Sequence, residues 1–192
     1  GVTVTALGAN SVQLSGSIAQ INALLAGGGG ATLTYRVDGD TPPSSDTLVL
    51  AVDDLGNSGG PARTTSTSVS IGITAVNDAP VAAIAPPGYA ATAYAPLSLQ
   101  AASGGLSIAD ADAGSANVQA TLGVTHGRLF AEAGTTGVAI SGSAPGALVL
   151  TGSVSAINAL LTGSGGSTLS YLLQDDTPAA SDTLVLTVDD LG

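Results

Sequence analysis

The chain has 192 residues, of which 44% are hydrophobic but only 3% aromatic, and it contains no Cys, Met or Trp. Its net charge is −11, and its only cations are Arg36, Arg63 and Arg128. This composition excludes nucleic-acid binding, which needs clustered Lys and Arg, and it excludes disulfides and thiolate metal sites. No apolar run approaches the ~18 residues that a membrane-spanning helix needs.

The first part of the chain alternates apolar and polar residues in short segments, a pattern that predicts β-strands. These segments are Val2–Thr5, Val12–Leu14, 33–37, 48–52 and 66–76. Between the second and third, Ile18, Ile21, Leu24 and Leu25 fall at helical spacing. One or two helical turns are therefore expected over residues 17–25, capping the sheets and ending at Gly27.

Residues 75–81 read Ala-Val-Asn-Asp-Ala-Pro-Val and predict an extended linker. Pro80 has no N–H and favours an extended conformation at Ala79, so the preceding strand should end here. An extended tether that carries the amide of Asn77 and the carboxylate of Asp78 is suited to hold a calcium ion between two domains.

Beyond the linker, the sequence predicts further short strands separated by turns. Pro86-Pro87-Gly88 indicates a turn, residues 97–99 a short strand, and residues 109–114 a polar loop. Residues 118–122 and 129–131 alternate around Thr125-His126-Gly127, which is typical of a hairpin. Strands of about 4–8 residues at spacings of roughly 8–15 predict an all-β sandwich.

The strongest organisational signal is an internal repeat. Gly1–Gly56 aligns with Gly137–Gly192 without a gap, at an offset of 136 (192 − 56), and roughly half of the positions are identical. Ile21-Asn22-Ala23-Leu24-Leu25, for example, recurs as residues 157–161. We expect residues 1–78 to be the back part of one module and residues 79–192 to be the next module, lacking its last strand, cut from a tandem array.

Clustered acidic residues predict a calcium site. Calcium takes six to eight oxygen ligands, and side-chain oxygens come from Asn77, Asp78, Asp110 and Asp112, with either Asp189 or Asp190 closing the shell. The alternative is that these Asp-rich loops are merely turns, since Asp favours turns.

These segments resemble a known family. Leu50–Gly56, Val69–Ile73, the Val-Asn-Asp-Ala-Pro linker and Asp110-Ala111-Asp112 with Asn117 look like parts of a cadherin repeat. The closer resemblance is to bacterial cadherin-like repeats of giant secreted adhesins, and it covers essentially the whole chain. It implies Ig-like, cadherin-like β-sandwich modules, each with a short helical turn, stiffened by Ca²⁺ in a long surface fibre.

The resemblance also implies ligand roles by position. Asn77 and Asp78 correspond to linker ligands, Asp110 and Asp112 to the Asp-x-Asp ligands, and Asn117 to a backbone-carbonyl ligand. Asp189 or Asp190 would be the acid near the far strand, and Asp53 and Asp54 would serve a preceding linker. The Asp-Arg-Glu segment of cadherins is absent; Ser45-Asp46-Thr47 stands in its place, so fewer carboxylates and a weaker affinity are expected.

The sequence offers few residues from which a catalytic site could be built. His126 is the only histidine and is expected in a hairpin turn, while Gly27–Gly30 is not followed by the Lys-Ser or Lys-Thr of a P-loop. Tyr35 and Tyr171 are expected in a core, which leaves Tyr89 and Tyr94 as the aromatic candidates for contacting a partner. No acid–base pair with a nucleophile is evident, so an enzyme is not expected.

The sequence therefore predicts a mechanical repeat of an extracellular, bacterial cell-surface fibre involved in adhesion, biofilm or filament assembly. Its expected partners are neighbouring repeats of the same protein, together with other copies through strand addition. A carbohydrate- or peptide-binding module of a surface protein is the alternative.

Overall fold

A computed structural model of the chain describes residues 1–57, 59–85, 88–100, 105–142 and 147–192. The predicted turn at Pro86-Pro87 lies outside these ranges. The two α-helices of the described residues are α1 (Ile18–Leu25) and α2 (Val154–Leu161). The strands are β1 (Thr3–Ala6), β2 (Val12–Ser15), β3 (Ser45–Asp53), β4 (Thr64–Gly72), β5 (Val81–Ile84), β6 (Leu97–Ser98), β7 (Leu106–Ala109), β8 (Asn117–Val124), β9 (Arg128–Glu132), β10 (Ala139–Ser141), β11 (Ala147–Ser153), β12 (Thr168–Leu172) and β13 (Leu184–Asp189).

Every strand pairing in the described residues is antiparallel, and the all-β class predicted from the sequence is confirmed. The chain forms two compact units, Gly1–Asp38 and Gly39–Gly192. The boundary between repeats that the sequence predicts after Asp78 concerns sequence periodicity rather than compactness, and it stays a prediction. No helix in the described part of the chain is long and apolar enough to cross a bilayer.

The smaller unit consists of one hairpin and one capped helix. β1 pairs with β2 from Thr3 opposite Ser15 to Ala6 opposite Val12. Ser17 begins α1 with a capping box, in which its hydroxyl accepts from the Gln20 N–H and the Gln20 side chain accepts from the Ser17 N–H. No residue of α1 is buried.

The larger unit contains four sheets. A four-stranded sheet has the order β10-β11-β8-β13 and a three-stranded sheet the order β6-β12-β9. β5 pairs with β7, and β3 pairs with β4 along nine residue pairs, from Ser45 opposite Gly72 to Asp53 opposite Thr64. The predicted final strand 66–76 thus ends earlier, at Gly72, and the linker that follows is irregular.

An aliphatic core holds β7, β8, β11, β12, β13 and α2 together. Its members alternate along the strands, as expected where one sheet face is buried. The fully buried side chains include Val118 and Leu122 on β8, Leu150 on β11, and Ile157 and Leu160 on α2. Tyr171 on β12 is the one aromatic residue among the buried residues of the described chain, and it is 5% exposed.

The two copies of the repeat differ in structure although their sequences match. Residues 168–172 form β12, whereas the equivalent residues 32–36 form no strand, so the strand predicted over 33–37 is wrong. Tyr35 is correspondingly 47% exposed, so the prediction that it packs in a core is wrong. The physical reason is that β12 pairs with β6 and β9, while the sheets described for the first copy contain no equivalent partner strands.

Asn158, from the repeated Ile-Asn-Ala-Leu-Leu motif, joins α2 to the sheet edge. Its amide oxygen accepts from the Ile108 N–H at 2.9 Å, and its amide nitrogen donates to the Ile108 carbonyl at 2.8 Å. Since β5 pairs with the other edge of β7, the Asn158 side chain satisfies the backbone groups that this pairing leaves open.

We predict that Asn158→Ala destabilises the larger unit by about 2–3 kcal/mol, because it leaves both backbone groups of Ile108 partly buried without partners. Asn22→Ala is the matched control: Asn22 occupies the same repeat position but is exposed, so a change within about 0.5 kcal/mol is expected. Denaturant unfolding followed by tyrosine fluorescence measures both. Equal effects of the two substitutions would contradict the role assigned to Asn158.

Candidate functional site

The linker meets two acidic segments that lie far away in the sequence. The Asn77 amide nitrogen donates to Asp190 Oδ2 at 2.6 Å, and the Asp78 N–H donates to Asp112 Oδ2 at 3.0 Å. The linker therefore contacts both the Asp110–Asp112 loop and Asp190, which are two of the acidic segments in the ligand prediction.

The Asp110–Asp112 loop is held by its own backbone. Asp110 Oδ1 accepts from the Asp112 N–H at 3.1 Å and from the Ala113 N–H at 2.8 Å. The Ala113 hydrogen bond is the main cause of a lowered pKa at Asp110, which therefore stays ionised.

Two oxygens of this loop have no hydrogen-bond partner. Asp110 Oδ2 and Asp112 Oδ1 are each buried as atoms, although the residues themselves are half-buried. An unpaired buried carboxylate oxygen costs free energy unless a donor or a cation satisfies it. This pair of oxygens fits the donor set of a hard cation such as calcium.

The remaining predicted ligands make local contacts. Asp189 Oδ1 accepts from the Leu191 N–H and Asp190 Oδ1 from the Gly192 N–H. Asp53 and Asp54 form the same two turns with Leu55 and Gly56, and Asp54 also accepts from the Arg63 N–H. These four aspartates therefore each accept a hydrogen bond within a local turn, and Asp190 in addition accepts from Asn77.

Asn117 begins β8, where it lies opposite Ser153, and no described hydrogen bond joins it to the other predicted ligands. Within the described ranges, no three His, Asp or Glu side chains come together as a metal-binding group. Any cation here would therefore depend on backbone carbonyls, amide oxygens or water as well as on carboxylates.

Comparisons with protein-family models, curated proteins and solved structures gave no match to this chain.

A second polar cluster, missed by the sequence analysis, centres on Asp182. Its carboxylate accepts from the backbone N–H groups of Thr125, His126 and Gly127, at 2.8 to 3.2 Å, and from the Tyr171 hydroxyl at 2.8 Å. Asp182 thereby fastens the β8–β9 turn to the start of β13. It is the repeat equivalent of Asp46 in the Ser45-Asp46-Thr47 segment.

The environment of Asp182 shifts two pKa values. Partial burial alone would raise the pKa of Asp182, but the hydrogen bonds from Gly127, Tyr171 and Thr125 outweigh it and hold that pKa well below its ordinary value. Burial, and then the hydrogen bond to the carboxylate, raises the pKa of Tyr171 to about 12. Gly127 is required here because a Cβ would lie 2.2 Å from the Tyr171 ring.

A cavity of about 460 Å³ lies beside this cluster. Its walls include Ile84 at the end of β5, Leu97, Leu99 and Tyr171 on the core side, and Ser181–Leu184 at the start of β13. Tyr89 also lines it and donates its hydroxyl to the Leu99 carbonyl at 3.1 Å.

The other aromatic candidate, Tyr94, is 56% exposed, and its hydroxyl donates to Asp176 at 2.9 Å. Of the two tyrosines proposed to contact a partner, Tyr89 is therefore turned to the protein interior and Tyr94 is fixed on the surface.

We predict that Asp182→Asn lowers the free energy of unfolding by about 1–2 kcal/mol at pH 7, since the partly exposed carboxylate loses charge-assisted hydrogen bonds. Because the folded pKa is depressed, this stabilisation is present above the ordinary pKa of about 3.9 and is lost as pH falls towards the folded pKa. The difference between the two proteins should therefore shrink below about pH 4.

Asp176→Asn is the control for this experiment, because Asp176 also pairs with a tyrosine hydroxyl but in an exposed position. Its effect should stay within about 0.5 kcal/mol. Denaturant unfolding between pH 2 and 7 measures all three proteins. A stability difference for Asp182→Asn that does not change with pH would show that the carboxylate charge is irrelevant.

Proposed function

We propose that this chain is a structural repeat of an extracellular bacterial adhesin or fibre, built from cadherin-like, Ig-like β-sandwich modules that calcium stiffens. Three features support the proposal: the gapless internal repeat, the antiparallel sheets around an aliphatic core, and the meeting of the linker with two acidic loops. The role is mechanical, in that the modules set the spacing and stiffness of a fibre engaged in adhesion or biofilm.

The observation that carries the calcium part is the pair of unpartnered oxygens, Asp110 Oδ2 and Asp112 Oδ1. They lie in the loop that already binds the linker through Asp78. A cation at these oxygens would tie the loop to the linker more firmly than one neutral N–H donor does, because charge-assisted contacts are the stronger ones.

In the proposed site Asp110 and Asp112 would hold the ion through their two unpaired oxygens. The side chains of Asn77, Asp78 and Asp190 would have to turn towards the ion to join them, with Asn117 contributing a backbone carbonyl. Calcium would supply positive charge between carboxylates that otherwise repel one another. Without the ion, the linker is held by the two hydrogen bonds to Asp190 and Asp112, so it should bend more freely.

The composition is in keeping with a protein outside the cell. With no Cys, the fold has no disulfide, and a bound cation would stabilise a small β-domain whose described core contains a single aromatic residue, Tyr171. Neighbouring repeats of the same protein are the immediate partners in such an array.

The alternative, a carbohydrate- or peptide-binding module, is favoured by one observation, the cavity beside the start of β13. Its walls combine aliphatic residues such as Ile84 and Leu97 with Tyr89, Tyr171, His126 and Asp182, so the cavity offers a ligand both apolar surface and polar groups.

We predict that calcium binds the 192-residue chain and raises its melting temperature, by an amount that corresponds to about 2.7 kcal/mol at a hundredfold excess over Kd. Asp110→Asn with Asp112→Asn should abolish this gain and leave the melting temperature in EDTA nearly unchanged. Amide exchange over residues 73–81 should be slower in calcium than in EDTA, and only in the unmutated chain.

Asp175→Asn with Asp176→Asn is the matched control, since it removes the same charge from a different acidic pair. This variant should retain the full response to calcium. If calorimetry detects no calcium binding to the unmutated chain, or if both double variants lose the response equally, the site is not where we place it.

A further inference from the structure

We propose that the free edge of β9 is a self-association surface, where β9 of a second copy of this chain pairs with it in antiparallel orientation, centred on Phe130. The inference rests on the proposed structural role, because it names the surface through which copies of such a fibre would associate side by side. Four observations carry it: an open strand edge, a self-complementary order of charges, an exposed aromatic residue and a backbone fixed at both ends of the strand.

β9 is the edge strand of the sheet β6-β12-β9. It pairs with β12 on one side, from Arg128 opposite Leu172 to Glu132 opposite Thr168, and no described strand pairs with its other side. β13 belongs to a different sheet, so a strand that paired with β13 as β4 pairs with β3 would leave the edge of β9 open. Such an edge presents a row of backbone N–H and C=O groups to any strand that fits.

The exposed face of β9 carries opposite charges at its two ends. Arg128, Phe130 and Glu132 alternate along the strand and are exposed, whereas Leu129 and Ala131 face the core. Arg128 and Glu132 lie about 13 Å apart along an extended strand, too far to pair with each other. Among the described residues, neither side chain forms an ion pair or a hydrogen bond. Both charges are therefore available to a partner.

Antiparallel pairing of β9 with its own copy, centred on Phe130, would place each charge opposite its complement. Arg128 of each copy would lie opposite Glu132 of the other, because a two-fold interface forms every contact twice. The two Phe130 rings would lie opposite each other at the centre. Opposite charges and aromatic residues that face each other across strands stabilise the pairing, whereas like charges destabilise it. Parallel pairing, or a shift of two residues, would lose both ion pairs, so the charges select one register.

The three side chains of this face are rare in the sequence. Phe130 is the only Phe, Glu132 is the only Glu, and Arg128 is the only Lys or Arg after Arg63. Phe130 is 48% exposed, although the described core contains a single aromatic residue, Tyr171. Packing Phe130 against its counterpart would remove this apolar surface from water on both copies.

The backbone on either side of β9 is fixed within the fold. Before the strand, the Gly127 N–H donates to Asp182 at 2.9 Å; after it, the Thr135 N–H donates to the Gly165 carbonyl at 3.0 Å. Gly134 has a φ of 56°, and a Cβ there would lie 2.3 Å from the Gly165 carbonyl oxygen, so this close turn requires glycine. A strand that is already ordered loses little conformational entropy when it pairs.

Charge reversal in the full chain tests the pairing, with sedimentation equilibrium as the measurement. Arg128→Glu and Glu132→Arg should each weaken self-association about tenfold or more, because both attractive pairs become repulsive. An equimolar mixture of the two variants should form a heterodimer, and the double variant with both reversals should recover the homodimer. Arg63→Glu is the matched control, since it changes the net charge by the same amount as Arg128→Glu at an exposed position outside β9. This variant should associate like the unmutated chain.

Cysteine trapping tests the register, since the chain has no Cys of its own. A mixture of Arg128→Cys with Glu132→Cys places one pair of thiols opposite each other and keeps the second pair of opposite charges. A mixture of Arg128→Cys with Thr168→Cys is the control, because Thr168 is exposed but lies on β12, one strand further from the interface. The first mixture should form about fivefold more disulfide-linked heterodimer on non-reducing gels, because a disulfide needs Cα atoms within about 7 Å.

The association and the cross-linking should be the same in calcium and in EDTA, so their failure is distinguishable from a failure to bind calcium. Equal cross-linking in the two mixtures would overturn the proposal, as would a chain that sediments as a monomer at all concentrations. A Phe130 face that instead bound a sugar or a different protein would give neither the heterodimer of the two charge variants nor recovery by the double reversal. That outcome would also overturn the proposal.

Discussion

The structure depends above all on a small aliphatic core that forms in one part of the chain. Six side chains with no exposure at all come from β8, β11 and α2, namely Val118, Ala120, Leu122, Leu150, Ile157 and Leu160. With aromatic residues at 3%, the buried apolar area must come from many such side chains, of which each fully buried Val, Leu or Ile contributes roughly 1.5–3 kcal/mol. The long-range contacts of Asn158, Asp182 and the acidic loops are positioned by the elements that this core packs together.

Two acidic sites beside that core, Asp182 and the Asp110–Asp112 loop, differ in how completely their carboxylate oxygens are hydrogen-bonded. Asp182 is saturated: donors from the β8–β9 turn and from Tyr171 satisfy its carboxylate, so it acts within the fold. The Asp110–Asp112 loop is unsaturated, since each aspartate keeps one buried oxygen without a partner. This difference separates an acidic residue that has completed its hydrogen bonding from acidic residues that still have capacity to bind a ligand.

The candidate site was predictable in part. The polar linker and the Asp-x-Asp loop stand out in sequence because they break the strand pattern, and the structure joins them through Asp78 and Asp112. The contact between Asn77 and Asp190 spans 113 residues, so no local pattern could decide between Asp189 and Asp190. Asp182 was missed because most of its donors are backbone N–H groups, which no residue type in the sequence indicates, and because the Tyr171 hydroxyl reaches it only in the folded structure.

The repeated Ile-Asn-Ala-Leu-Leu motif shows which features local sequence determines and which depend on tertiary packing. Ile21-Asn22-Ala23-Leu24-Leu25 and its copy at 157–161 are both helical, because Ser17 and Ser153 cap them locally. The matching segments that form β3 and β13 are likewise strands in both copies. Burial, however, differs completely: Ile157, Leu160 and Leu161 are in the core, whereas α1 buries nothing. Local sequence determined these matching elements, but not the strand at 168–172, whose copy at 32–36 is irregular. Only the presence of packing partners from distant strands decided whether that strand formed and which elements became part of a core, since burial requires a second surface.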